Sequence, residues 1–321
     1  MRNGTSALRA VLATAMATLL TTAPLAQAAT WPVIHPRVHS YFDLSTGQQP
    51  ENIVALPGEE VELSFAGSRQ VARIRPDGSL TLRGTLPLPP DGGTSTPVLG
   101  TAIATGLVHM GNGDSYVGYA AGSPTHTGIW RIRDGAPPVR IAALPAASFP
   151  NGMAADENGK TLFVADSALG VIWRIPLSGN APTKWLDAPE LKPSGFLGAN
   201  GLRVHQGSLW VTNMDHGTLV RIPFQRGGTA GVPEIRASGL DGIDDFAFVG
   251  RSQTVVAALN GANQVALVDP DGTHQVVLTA ADGLTGPTSV AIHGSTLWVT
   301  SAAFVIQRDP NLLKARIVAR G

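Results

Sequence analysis

The stretch Leu209-Trp210-Val211-Thr212-Asn213, followed after a polar tip by Leu219-Val220-Arg221-Ile222, reads as two short apolar strands joined by a tight turn. β-Branched and aromatic residues fill both runs, and Asn, Asp, His and Gly fill the gap between them. The phrase recurs along the chain. Leu162-Phe163-Val164-Ala165-Asp166 leads to Val171-Ile172-Trp173-Arg174-Ile175, and Val255-Val256-Ala257-Ala258 leads to Val265-Ala266-Leu267-Val268. Leu297-Trp298-Val299-Thr300 leads to Val305-Ile306, and earlier copies end at Val71-Ala72-Arg73-Ile74 and Ile129-Trp130-Arg131-Ile132. Turn dipeptides punctuate the copies at Asp77-Gly78, Asn112-Gly113, Asp134-Gly135, Asn158-Gly159 and Asp271-Gly272. Each is a hairpin signal.

Aligned on their first strands, the repeats open at Glu51, Thr101, Asn151, Asn200, Asp244 and Thr288, at intervals of 50, 50, 49, 44 and 44 residues. Six four-stranded units at this period predict an all-β fold, a six-bladed β-propeller. Val38 to Leu44 is expected to supply an outer strand that closes the ring. The Pro-, Gly- and Thr-rich run Leu86–Gly100 fits a long connection between blades one and two, so residues 29–321 form one domain. Trp130, Trp173, Trp210 and Trp298 are expected to pack between blades.

Composition supports this reading. The chain has 321 residues with 37 glycines and 24 prolines, a density that breaks it into short elements. Charged residues make up 14%, and 23 basic residues balance 23 acidic ones, so a nucleic-acid partner is not expected. With no cysteine, disulfides, thiolate nucleophiles and Cys-based zinc sites are excluded. Arg2 and Arg9, the apolar run Ala10–Leu20 and Ala26-Gln27-Ala28 have the form of a secretory signal peptide over residues 1–28. The mature chain is therefore expected to be exported to the periplasm or the medium, without a membrane span and as a monomer.

The first strand of each blade lines the channel, so the six opening residues should ring one mouth. All are polar. Glu, Asn, Asn and Asp offer hard oxygen donors, which suit Ca²⁺ and, less tightly, Mg²⁺ or Mn²⁺. Asn151-Gly152 and Asn200-Gly201 also match ordinary turn dipeptides; their shared repeat position argues for the ring. Tips between second and third strands return to the same mouth, which makes Asp166, Asn213, Asp215, His216, Asn260 and Ser301 candidate substrate contacts. Of these, His216 could move a proton. No nucleophile elbow and no His-Glu-x-x-His is present.

Across Pro50 to Thr300 the chain resembles the calcium-dependent six-bladed propellers of the gluconolactonase, regucalcin (senescence marker protein) and luciferin-regenerating-enzyme group. Pro50-Glu51-Asn52-Ile53, Pro150-Asn151-Gly152, Ala199-Asn200-Gly201 and Asp244-Asp245-Phe246 carry the likeness. The resemblance implies Glu51, Asn200 and Asp244 as metal ligands, Asp244 also as the base that activates water, and Asn151 as a substrate contact. Thr101, Thr288, Asn213 and His216 complete the expected substrate surface. The implied activity is metal-dependent hydrolysis of a lactone or related ester. The alternative is a non-catalytic secreted propeller that binds a ligand or partner protein. One departure stands out. Sugar lactonases of the group often carry an arginine just ahead of the first asparagine, whereas here Ser148-Phe149-Pro150 precedes Asn151. Without that guanidinium a carboxylated or polyhydroxy substrate loses a bidentate clamp, and Phe149 implies a more apolar pocket.

Overall fold

The computed structural model describes residues 32–318; the expected signal peptide lies outside them. Among the described residues no helix is long and apolar enough to cross a membrane. Twenty-four strands form six four-stranded antiparallel sheets, the six blades of a β-propeller. Strand β1 is Val33–Tyr41, and blade one comprises β2 (Pro50–Ala55), β3 (Val61–Phe65), β4 (Gln70–Ile74) and β5 (Leu80–Thr85). Blade two comprises β6 (Ile103–His109), β7 (Ser115–Ala120), β8 (Gly128–Ile132) and β9 (Val139–Ala143). Blade three comprises β10 (Pro150–Ala155), β11 (Thr161–Asp166), β12 (Val171–Pro176) and β13 (Thr183–Asp187). Blade four comprises β14 (Ala199–His205), β15 (Ser208–Asn213), β16 (Thr218–Pro223) and β17 (Glu234–Ala237). Blade five comprises β18 (Ile243–Phe248), β19 (Val255–Leu259), β20 (Gln264–Val268) and β21 (His274–Leu278). Blade six comprises β22 (Pro287–His293), β23 (Thr296–Ser301) and β24 (Asn311–Ile317), and β1 pairs with β24 as its outermost strand. The N-terminal segment closes the ring as expected, from Val33 to Tyr41 rather than Val38 to Leu44.

The core is a set of layers between neighbouring blades. Val71, Leu86, Leu107, Val117, Tyr119 and Ile132 join blades one and two. Trp210, Leu219, Phe246 and Val255 join blades four and five, and Ile53, Leu63, Ala291 and Trp298 join blades one and six. Trp130, Trp210 and Trp298 are buried in these layers, in keeping with the packing role expected of them. Trp173 is half-buried and donates its indole N–H to Asp166 at 2.9 Å.

Strand register fixes the channel. Pro50, Ala104, Pro150, Ala199, Ile243 and Pro287 each pair with the second strand of their blade just before a register shift. The next residue in each blade therefore sits on a bulge, a feature that re-aims side chains next to functional sites. Those residues are Glu51, Thr105, Asn151, Asn200, Asp244 and Thr288. Blade two thus contributes Thr105 to the ring, not Thr101. The connection Leu86–Ala102 carries the extra length that displaced the sequence alignment by four residues.

Each blade is then tied to the next through a carbonyl at this level. Ser64 donates to Thr105 O (2.5 Å), Thr105 to Pro150 O (2.6 Å), Ser167 to Ala199 O (2.6 Å) and Thr212 to Asp244 O (2.6 Å). Asn260 donates to Pro287 O (3.2 Å) and Thr288 to Pro50 O (2.8 Å), which completes the circle. The bulges leave these carbonyls without ladder partners, and a buried carbonyl left alone is costly. Ser64, Ser167, Thr212 and Asn260, at or just past second-strand ends, and Thr105 and Thr288, on first strands, answer that need.

The Asn-Gly pairs are strand residues, and close approach explains their glycines. A Cβ on Gly106 would overlap the Asn151 carbonyl oxygen, one on Gly152 the Asn200 carbonyl oxygen, and one on Gly201 would lie 2.5 Å from the Asp245 carboxylate. Gly106→Ala is expected to cost about 3 kcal/mol, at the upper end for overpacking. Urea unfolding within about 0.5 kcal/mol of wild type would show that the first strands can separate freely.

Candidate active site

The equivalent position in blades one, five and six carries Asn52, Asp245 and Ser289 instead of glycine, and these three meet across the channel. Asp245 Oδ2 accepts from Asn52 Nδ2 at 3.0 Å, Ser289 Oγ at 2.6 Å and Arg203 Nη2 at 2.7 Å. This plug separates two mouths. One is a cavity of about 340 Å³ lined mainly by aliphatic residues together with His109 and Arg203. The other is a cavity of about 380 Å³ whose lining includes Glu51, Thr101, Asn151, Asn200, Asp244 and Asn260.

The second cavity gathers six of the twelve residues singled out from sequence. Glu51, Asn151, Asn200 and Asp244 come from the bulges of four different blades, and all are buried. Glu51 Oε2 and Asn200 Oδ1 have no hydrogen-bond partner. Burial, then the Asp245 charge, pushes the Glu51 carboxyl up to about 8. Burial, then the charges of Glu51 and Asp245, holds Asp244 well above the usual carboxylate range, with the Asn200 amide pulling the other way. Arg203 faces Asp245 from the opposite mouth, and among the described residues no basic side chain lines the cavity itself. Acids crowded in this way, beside orphaned oxygens, form a floor that lacks positive charge.

Among the described residues, no group of three or more His, Cys, Asp or Glu side chains is placed to hold a metal ion. The donor set here is different: two carboxylates and the Asn200 amide oxygen. All are hard oxygens, two of the atoms lack partners, and such a set fits Ca²⁺ or another hard divalent cation.

Other expected contacts are placed elsewhere. Thr288 shares the ring register, but its hydroxyl is spent on Pro50 O and Thr300 Oγ1, and it does not line the cavity. Asn213 donates to Glu190 O and Lys192 O and accepts from the His216 N–H, so it caps a loop. His216 is exposed and outside the cavity lining. Asp166 is buried and accepts from the backbone of Phe149 and Leu169. Ser301 Oγ accepts from the Thr285 N–H at 3.3 Å. A strand-end Asn or Asp looks the same in sequence whether it caps its own loop or faces a ligand.

Asp215 acts at one remove. Its carboxylate accepts from the backbone N–H groups of Ser194, Gly195, Phe196 and Leu197 at 2.6, 2.8, 2.9 and 3.1 Å. Burial opposes its ionisation, but these four donors outweigh burial and hold the carboxyl below its usual range. The loop they shape brings Phe196 and Leu197 to the cavity, where Leu99, Met214, Phe304 and Val305 join them. Five of these six were not singled out from sequence, and Val305, read there as the start of the last repeat's third strand, lies in a turn ahead of β24 (Asn311–Ile317). They lie in connections, where apolar residues follow no period, and the sequence around them carried no distinct signal.

No family model matches the chain, and no curated protein matches it in sequence. Its fold is shared with solved structures at low identity. Regucalcin, a calcium-binding protein from Agrobacterium tumefaciens, is similar with a TM-score of 0.63 and 16% identity, over 88% of this chain and 97% of that one. A gluconolactonase from Xanthomonas campestris gives 0.59 and 16%, over 85% and 88%. A catalytically inactive His-to-Ala variant of virginiamycin B lyase from Staphylococcus aureus, solved with quinupristin, gives 0.58 and 16%, over 85% and 82%. The propeller expected from the repeats, and its structural likeness to the gluconolactonase and regucalcin group, agree with these comparisons. At such identities the likeness establishes the fold.

Proposed function

We propose that the chain is a divalent-cation-dependent hydrolase of a lactone or related ester, acting at the cavity floored by Glu51, Asn151, Asn200 and Asp244. The observation that carries this reading is the pair of orphaned oxygens, Glu51 Oε2 and Asn200 Oδ1, beside two buried acids without a counter-charge. The calcium-binding and gluconolactonase propellers of the same fold support it. The chemistry of the lyase is not proposed, because no histidine lines the cavity.

Glu51, Asn200 and Asp244 would hold the cation, with Ca²⁺ the best match to their oxygens. Bound there, it supplies a Lewis acid beside the reacting carbonyl. The remaining work falls to side chains. Asn151, on the ring but buried and free to donate through its amide, orients the carbonyl oxygen of the ester. Asp244, ionised once its neighbours' charge is offset, takes the proton of the attacking water. The apolar walls keep other water out and strengthen each of these interactions.

The test is a panel of lactones and simple esters assayed with cation removed by chelation and then restored. Hydrolysis should require the cation, and Asp244→Asn should lower kcat/KM by about 10²–10⁴-fold, the range for losing a general base. If calcium binds but nothing in the panel is cleaved, the reading gives way to a non-catalytic binding propeller.

A further inference from the structure

Above the acidic floor the walls are apolar. Leu99, Phe149, Phe196, Met214, Phe304 and Val305 converge from five separate connections. Among the described residues no lysine, arginine or histidine lines the cavity. A carboxylated or phosphorylated ligand would meet two buried acids and no cation other than the one they hold. A polyhydroxylated ring would bury hydroxyls against side chains that offer no partner, and each such hydroxyl is costly. Beyond the four ring residues the polar side chains of the lining are Gln49, Thr101 and Asn260, and Asn260 is already committed to Pro287 O.

The apolar surface does not stop at the cavity. Leu99 is 38%, Phe196 49% and Val305 88% exposed, so the walls run out onto an open apolar lip. The Phe196 side of that lip is held in place, since four backbone N–H groups of its loop are bound to the Asp215 carboxylate. A fixed wall makes tail binding cheaper in entropy than a mobile one.

We infer that the site takes a neutral lactone or ester bearing an apolar tail of several carbons, with the ester on the acidic floor and the tail lying over Phe196 and Val305. The ester half of this statement rests on the hydrolase reading, whereas the tail half rests only on the walls.

Because hydrolysis is not needed to see the tail, the test uses γ-lactams, ring amides that stand in for the lactone. Methyl-, butyl- and octyl-γ-lactam and the polyhydroxylated gluconolactam are titrated calorimetrically into the calcium-loaded chain. Affinity is expected to rise with tail length, by up to about fourfold per methylene, which is the value for full burial. Gluconolactam should bind more weakly than octyl-γ-lactam. Phe196→Ser and Val305→Ser, both at exposed positions that tolerate the change, should flatten the dependence on tail length, and Asp215→Ala should flatten it by releasing the loop. A wild-type affinity independent of tail length, a preference for gluconolactam, or an undiminished slope in the Phe196→Ser, Val305→Ser double variant would each overturn the inference. Turnover of the corresponding lactones is scored separately. A steep tail dependence without turnover sinks the hydrolase reading and upholds the apolar site. Turnover of gluconolactone without tail dependence does the reverse.

Discussion

Glu51→Gln is expected to stabilise the cation-free chain at pH 8 and to destabilise it, relative to wild type, once calcium is added. The carboxyl of Glu51 is pushed up to about 8 by burial and the Asp245 charge. A raised carboxylate pKa means that the folded state holds a proton the unfolded state releases. The associated stability is present below about pH 4.5 and is lost as pH rises through about 8. The cation-free wild type should therefore melt at lower temperature at pH 8 than at pH 5, and Asp244, raised for similar reasons, adds in the same direction. Glutamine has the shape of the protonated acid and no charge to lose, so the variant should show a smaller fall. With calcium the order inverts. A ligand at about 100 times its dissociation constant adds about 2.7 kcal/mol to the wild type. A floor lacking one of its two charged donors should keep little of that gain. Melts at pH 5 and pH 8, each with chelator and with calcium, check the crossing. Parallel curves for the two proteins in all four conditions would show that Glu51 is not a cation ligand.

Arg83→Met is expected to lower stability by about 3–5 kcal/mol, the cost of orphaning one member of a buried ion pair. Arg83 lies on the outermost strand of blade one, yet its side chain is 2% exposed. It donates to Glu62 Oε2 (2.5 Å), Ser115 Oγ (2.8 Å), Asp134 Oδ1 (2.7 Å) and Gly113 O (3.0 Å), and so bridges blades one and two. Burial works against the charge of Glu62, and hydrogen bonds from His109, Ser115 and Arg83 overcome it, so its carboxyl lies below the usual range. Removing Arg83 takes away the shortest of the contacts to that buried charge and leaves it to Arg73 at 3.5 Å, His109 at 3.6 Å and the Ser115 hydroxyl. The double variant Arg83→Met, Glu62→Met should recover much of the loss, because two apolar chains can replace a buried pair at little cost. Urea titrations of the two single variants and the double variant measure this. Additive losses would show that the contact between the two side chains contributes nothing.

The sequence showed the architecture clearly because each blade repeats one phrase and the phrase has a physical cause. Leu-Trp-Val-Thr at 209–212 and 297–300 places aliphatic and aromatic residues in inter-blade layers and a hydroxyl beside the ring. Glu51, Asn151, Asn200 and Asp244 stood out for the same reason, as polar residues at one register in otherwise apolar strands. Blade two was harder. Its ring residue, Thr105, turns its hydroxyl to Pro150 O and looks like any strand threonine, while Thr101 happened to fall at the average spacing. Thr101 nonetheless lines the cavity, from the connection rather than the strand. Apart from Phe149, just ahead of Asn151, the walls were invisible for a different reason. Phe196 and Val305 are placed by loop geometry, and what places Phe196 is a carboxylate 19 residues away in sequence, Asp215.

The pairing of β1 with β24 sets the order in which this molecule can be made. Val33 faces Ile317, a pairing between opposite ends of the chain. Contacts this distant in sequence carry a loop-closure cost before they return any energy, and folds that depend on them form slowly. A growing chain can stack blades one to five as each emerges, but the sixth blade lacks its outer strand until the last strand meets the first. Until then blade six shows an open edge to other chains, a template for intermolecular pairing. Refolding from dilute denaturant is therefore expected to be slow and increasingly lost to aggregation as protein concentration rises.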